Sequence, residues 1–308
     1  MYEPRQINEL VINWHVTEAC NYSCSYCYAH WNKSDIRGEI IHEETRSQKL
    51  IEMLYGFFCA KNKGNLLQSR LQWASVRLNI AGGEPLLYEQ KVLRVIRVAR
   101  DLGMNVSIIT NGSRLTKPLI EAIAPDISLL GISLDSSNNQ TNRKIGRIDK
   151  KGLLLRAQSV EEILVMGRQI NPQMRLKVNT VVNSLNACED MSCLIQTLQP
   201  ERWKVLRMLP VLNNELAISD VEFNSFVDRH LALKNVMCIE DNSDMTESYI
   251  MVDPYGRFFQ NKQSRNGSGY FYSEPILSKG IEAAFSQLTF STEKFIGRYE
   301  RISEEVLV

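Results

Sequence analysis

Short β-branched runs alternate along this chain with longer stretches of helical periodicity, and that alternation restricts its fold more than any other feature. Strand-like segments cover residues 9–17, 75–81, 106–110, 127–134, 174–182, 203–209 and 249–253, with helical patterns near 43–61, 89–102, 117–124, 153–169, 187–198 and 221–234. Strands joined through helices make βα units around a parallel sheet. The predicted class is therefore α/β, a partial βα barrel. Residues 260–269, rich in Asn, Lys, Ser and Gly, are expected to be a flexible loop.

Several of these strands are not apolar on both faces. Side chains alternate with period two, so Arg77 shares a face with Asn79, Lys177 with Asn179, Asn13 with His15, and Arg202 with Lys204, while aliphatic residues take the other face. Inner barrel strands that enclose a packed core are apolar on both sides. Four such pairs favour a polar, mildly cationic cavity over a set of exposed edge positions.

The first strand runs into Cys20, Cys24 and Cys27, a C-x3-C-x2-C loop holding three of the chain's seven cysteines. Three thiolates on one short loop suit an iron–sulfur cluster, and the lack of a nearby fourth leaves one iron open for chemistry. A zinc loop or free buried thiols are the alternatives, but zinc takes four ligands in paired spacings, and no second C-x2-C or H-x3-H pair is present. Cys188 and Cys193, about 140° apart on a helix, read as core packing rather than a second cluster. Single histidines such as His15 and His30 read as structural.

About sixty residues later, Gly82-Gly83-Glu84-Pro85 joins a strand to a helix. Two glycines allow close approach to a ligand, and Glu84 or a free carbonyl can accept from an ammonium group. Thr110-Asn111 closes the third strand, and Ser133 with Asp135 closes the fourth; turn formation and helix capping are ordinary reasons for such residues. No P-loop string occurs, which excludes an ordinary kinase or ATPase.

Taken together, C-x3-C-x-aromatic-C and Gly-Gly-Glu-Pro resemble the radical S-adenosylmethionine (SAM) superfamily, and the narrower likeness is to the viperin family and its prokaryotic members. That likeness runs through Asn13-Trp14-His15, Ala81–Pro85, Ser133–Ser136, Ile145-Gly146-Arg147, Lys177-Val178-Asn179, Arg202–Val205 and Ser248-Tyr249, nearly the whole chain. The resemblance implies a (β/α)6 partial barrel over residues 1–210, with residues 211–308 as a C-terminal extension that packs on the barrel and closes the nucleotide site. It implies a [4Fe–4S] cluster on Cys20, Cys24 and Cys27, and SAM held by Gly82, Gly83, Glu84, Thr110, Asn111, Ser133 (ribose) and Arg147 (carboxylate). Triphosphate contacts fall to Arg77, Lys177, Arg202, Lys204 and Arg298, and ribose or phosphate contacts to Asn13, Asn79 and Asn179. Tyr249 and Lys177 are the catalytic candidates. Arg77 stands where animal members carry lysine, which changes a point donor into a fork.

The implied reaction cleaves SAM to methionine and a 5′-deoxyadenosyl radical, which takes the C4′ hydrogen of a ribonucleoside triphosphate (CTP, UTP or GTP). Loss of the 3′-hydroxyl as water then gives the 3′-deoxy-3′,4′-didehydro nucleotide, a chain terminator suited to antiviral or antiphage defence. A small reductant such as flavodoxin or ferredoxin is implied. A radical SAM enzyme acting on another nucleotide or a peptide, or a non-catalytic iron–sulfur partner-binding protein, remains an alternative.

Net charge of +1 argues against a general polyanion binder. No signal-peptide pattern opens the chain, and an odd number of cysteines fits a reducing compartment. A cytoplasmic monomer without nucleic-acid or membrane partners is expected.

Overall fold

The computed structural model describes residues 4–29, 36–155, 157–210, 213–264 and 267–300, apart from the side chains of residues 36, 66, 262–264, 267–268 and 298–300. His30 and the side chain of Arg298 lie outside the described residues.

The N-terminal two-thirds repeats a strand followed by a helix. β1 (Arg5–His15) leads to α1 (Glu44–Phe58), β2 (Leu71–Ala81) to α2 (Glu89–Asp101), and β3 (Asn105–Thr110) to α3 (Lys117–Ile123). β4 (Leu129–Ser133) leads to α4 (Asn139–Ile145) and α5 (Ala157–Ile170), β5 (Arg175–Val182) to α6 (Ser192–Leu198), and β6 (Arg202–Arg207) to α7 (Asp220–Arg229). β7 (Met237–Glu240), β8 (Ile250–Val252), β9 (Arg257–Ser264) and β10 (Gly267–Pro275) follow, then α8 (Ile276–Lys279), α9 (Ile281–Phe285) and α10 (Thr292–Glu300).

All ten strands form one sheet, ordered β10-β9-β8-β1-β2-β3-β4-β5-β6-β7, which stays open between β10 and β7. The strands from β8 to β7 are mutually parallel, and β9 runs antiparallel to both of its neighbours, β8 and β10. The partial-barrel class holds. Residues 260–264 and 267–269, expected in a loop, are strand: they lie on the antiparallel pair β9–β10, matched from Gly267↔Ser264 to Phe271↔Gln260, and residues 265–266 lie outside the described residues.

One face of the sheet is a dry core. Leu10, Ile12, Trp14, Leu78, Ile80, Val106, Ile108, Leu130, Ile132, Val178, Trp203 and Val205 are all fully buried there. Each such aliphatic side chain contributes about 1.5–3 kcal/mol on burial. The covering helices α1, α2, α3, α5 and α6 contact one another in that sequence as a single layer. In α2, Val92, Val95, Ile96 and Ala99 recur at the spacing that keeps one stripe inward. The opposite face carries the polar pairs.

Candidate active site

Parallel strands deliver their C-terminal ends to one rim, where loops gather. The loop after β1 carries the three cysteines, and the loop after β2 is built against it. Gly83 N–H donates to Thr17 O at 2.7 Å and Glu84 N–H to Ala19 O at 2.8 Å. A Cβ on Gly83 would sit 2.3 Å from Ala19 O, and one on Gly82 (φ +148°) 2.7 Å from Thr17 O. These glycines bring two backbones together at the cysteine loop.

Glu84 is fully buried, and its carboxylate accepts from Leu86 N–H (3.0 Å), Thr110 Oγ1 (2.8 Å) and Asn111 N–H (2.7 Å). Burial raises its pKa and these donors oppose the rise. The Asn111 amide then reaches Asn21 Oδ1 at 3.0 Å and Cys20 Sγ at 3.8 Å. Thr110 and Asn111 thereby join the rim to the cysteine loop.

The other side of that loop rests on the end of α4. Ser23 N–H donates to Gly146 O at 3.1 Å and Ser25 N–H to Ile145 O at 2.9 Å. Gly146 takes φ +88°, where an added Cβ would meet Ser23 O at 2.3 Å. Arg147 follows, 7% exposed, bonded to Tyr26 Oη (3.2 Å), to Asp135 Oδ2 (3.3 Å) and to Ser133 O. Tyr26 also donates to Asp135. The sequence reading used Tyr26 only as the aromatic of C-x3-C-x-aromatic-C and Asp135 only as a motif residue or cap, and gave neither a part in holding Arg147; their positions inside the motifs were the signal.

Cys20, Cys24 and Cys27 are free thiols. Burial pushes Cys20 up to about 11 and Cys24 up to about 12, and it raises Cys27 as well; negative charge on Cys27 adds to the rise at both of the others. The three are thus within electrostatic reach of one another and need a cation to ionise. Among the described residues no three His, Cys, Asp or Glu side chains close around a single ion; a cluster instead takes one thiolate at each of separate irons. The remaining cysteines lie elsewhere: Cys59 caps α1, Cys238 is on β7, and Cys188 and Cys193 are exposed. The core-packing expectation for Cys188 and Cys193 is corrected, because Cys188 sits in a turn before α6 rather than on the helix. The donor set fits a three-thiolate cluster.

Below the rim, the polar face is continuous. In register, Asn13 lies beside Asn79 and Asn79 beside Ser107; Gly131 lies beside Lys177 and Lys177 beside Arg202; Ser133, Asn179 and Lys204 share the next level. Asn79 donates to Asn13 Oδ1 at 2.8 Å and accepts from Ser107 at 2.7 Å, while Asn13 donates to Ile250 O at 3.2 Å. Arg77 pairs with Glu9 at 3.0 Å. A Cβ on Gly131 would come 2.4 Å from Ile109 Cδ1 and 3.3 Å from Lys177 Cε, so this glycine makes room for Ile109 and lets the lysine lie close over the strand. Burial, then the charges of Lys204, Arg202 and Arg77, hold the Lys177 ammonium well below the ordinary lysine range. Among the described residues, Asn179 Oδ1 and Arg77 Nε are buried without a hydrogen-bond partner. Such orphaned groups point to something the protein alone does not supply.

Lys204 contacts Glu240 at 2.7 Å and the Tyr249 hydroxyl, which donates to Glu240 in turn. Glu240 escaped sequence reasoning because β7 is only four residues long. Its signal was an acid ending an apolar run two residues after Cys238.

The fold and cysteine loop define a radical SAM protein, and residues 14–157 match the Radical SAM superfamily. A solved structure described as native anSMEcpe with bound AdoMet shares the fold, at a TM-score of 0.63 and 11% identity over 96% of each chain. The chain is 41% identical to an S-adenosylmethionine-dependent nucleotide dehydratase of Psychrobacter lutiphocae, covering 96% of both, and 39% identical to one of Pseudoalteromonas ulvae, covering 96% of this chain and 94% of that one. It belongs to the family of S-adenosylmethionine-dependent nucleotide dehydratases, which bears out the resemblance read from the motifs. It is a radical SAM enzyme, with a [4Fe–4S] cluster and SAM as cofactors.

Proposed function

We propose that this enzyme converts a ribonucleoside triphosphate, CTP, UTP or GTP, to its 3′-deoxy-3′,4′-didehydro analogue, a chain terminator in antiviral or antiphage defence. The cation row Arg77, Lys177, Arg202 and Lys204 on one strand face, below the cysteine loop, carries the reading. A triphosphate brings about four negative charges, which such a row can neutralise. The buried, unpartnered Asn179 Oδ1 and Arg77 Nε support a polar ligand at this level. The names of the relatives support a nucleotide as that ligand.

When bound, the cluster and SAM supply the radical chemistry that breaks a C–H bond. The protein's part is placement. Cys20, Cys24 and Cys27 hold the cluster, and the Gly82–Glu84 turn, Thr110, Asn111, Ser133 and Arg147 line the SAM side. Arg77, Lys177, Arg202, Lys204 and Arg298 anchor the phosphates, and Asn13, Asn79 and Asn179 fix the ribose. Several anchors on one substrate hold C4′ in a reactive position. Tyr249, hydrogen-bonded to Lys204 and Glu240, can hold or release a proton at its hydroxyl. Residues 211–308 supply Tyr249 and close the nucleotide side. A small reductant such as flavodoxin or ferredoxin, a monomeric state and a cytoplasmic setting complete the reading. Among the described residues no helix is long and apolar enough to cross a membrane.

The test is anaerobic incubation of reconstituted protein with reductant, SAM and each ribonucleoside triphosphate in turn. 5′-Deoxyadenosine release stimulated by one nucleotide, with a product lighter by one water, is expected. Equal release with all four and no such product would overturn the reading. Cys24→Ala should abolish SAM cleavage.

A further inference from the structure

The cation row carries two acids that the nucleotide reading does not use, Glu9 beside Arg77 and Glu240 beside Lys204, and Glu240 holds the tyrosine of the site as well. β7 runs parallel to β6 with Lys204↔Cys238 and Leu206↔Glu240 in register, so Cys238 and Glu240 fall on the face that carries Arg202 and Lys204. Glu240 is 1% exposed. Its Oε1 lies 2.7 Å from Lys204 Nζ, and its Oε2 accepts from the Tyr249 hydroxyl. Lys204 Nζ also donates to that hydroxyl and stands 4.9 Å from the ring centroid. Ammonium, phenol and carboxylate form a closed triangle.

We propose that Glu240 is a positioning residue and a built-in counter-anion of the nucleotide site, fixing Lys204 and the Tyr249 hydroxyl while limiting how tightly a triphosphate binds. This rests on the nucleotide reading above. A purely structural ion pair needs only two members. Here the third is a hydroxyl whose donor and acceptor directions are both set, accepting from Lys204 and donating to Glu240. The carboxylate also opposes the mutual repulsion of Lys177, Lys204, Arg202 and Arg77 when no substrate is present. A polyanion entering that row competes with Glu240 for Lys204. Removing the carboxylate charge therefore has two opposite effects: the field on the phosphates grows, and the orientation of Lys204 and Tyr249 is lost.

The experiment measures triphosphate binding by calorimetry on anaerobically reconstituted protein, with steady-state kinetics alongside. Glu240→Gln should tighten nucleotide binding by about tenfold, as one extra net charge near the phosphates predicts, while kcat falls. Glu240→Asp keeps the charge but retracts it by one methylene, so it should leave binding near the native value and still lower kcat. A merely structural acid gives a lower melting temperature with unchanged Kd and kcat per folded site, and that result would overturn the proposal. If the Gln variant does not fold, native kcat in the Asp variant overturns it equally. Lys177→Met separates the two layers. If it weakens nucleotide binding while both Glu240 variants behave like the native protein, only this inference falls; if the native protein binds no triphosphate, the nucleotide reading falls and takes this with it.

Discussion

The carboxylate of Glu84 closes on the Asn111 backbone amide at 2.7 Å and so ties the loop after β2 to the loop after β3. Two further donors, Leu86 N–H and the Thr110 hydroxyl, complete its set. Glu84→Ala strands three buried donors, each costing about 1–3 kcal/mol. Urea unfolding should show a loss of about 3 kcal/mol or more by the same accounting. Iron bound per chain should fall too, because Asn111 also contacts the cysteine loop.

Two glycine-to-alanine substitutions should have opposite outcomes. In Gly83→Ala the new methyl meets the Ala19 carbonyl at 2.3 Å, backbone against backbone, and the cysteine loop must shift. Cluster reconstitution, followed by the visible absorption of the protein, should fail while the far-ultraviolet circular dichroism persists. Gly56, exposed within α1, has nothing within 4 Å of an added Cβ. Gly56→Ala should stabilise by about 0.5–1 kcal/mol, the helix penalty of glycine.

Lys177 predicts a proton uptake on nucleotide binding. Its ammonium is held well below the ordinary lysine range by burial and by Lys204, Arg202 and Arg77, with Glu240 opposing. A bound triphosphate favours the charged form and raises the pKa, so a proton enters where the pH lies between the free-state and bound-state values. Calorimetry in buffers of different ionisation enthalpy should register that uptake, and Lys177→Met should remove it. The same residue loses stability as pH falls from the unfolded-state pKa through the folded one, because protonation is resisted only in the native protein.

Arg147 and Asp135 form a buried pair, 7% and 0% exposed. Arg147→Met leaves the carboxylate without its partner and should cost about 3–5 kcal/mol in unfolding free energy. Arg147→Lys retains the charge but cannot reach Tyr26, Asp135 and the Ser133 carbonyl together, and should fall between the two.

What could be read from the sequence followed from period. Lys177 and Asn179 alternate with fully buried Val178, and the same alternation in four strands together placed a polar face in the sheet. Glu240 could not be read that way, because Met237–Glu240 is too short to show alternation and its partners, Lys204 and Tyr249, come from other strands or loops. The β9–β10 pair was hidden by residues typical of turns, although Phe258 and Phe259 on β9 are fully buried. Glu84 was recognised as a motif residue, but its three internal donors come from Leu86, Thr110 and Asn111, and composition carries no trace of such contacts.

β8 lies beside β1, so that Ile250 meets Ile12 across nearly the whole length of the chain. The strand that launches the cysteine loop is therefore flanked on only one side until β8 (Ile250–Val252) has been made. Contacts so remote in sequence form late and slowly. Assembly of the metal centre should therefore await β8, and truncations that remove Ile250–Val252 should accumulate as iron-poor, aggregation-prone polypeptides.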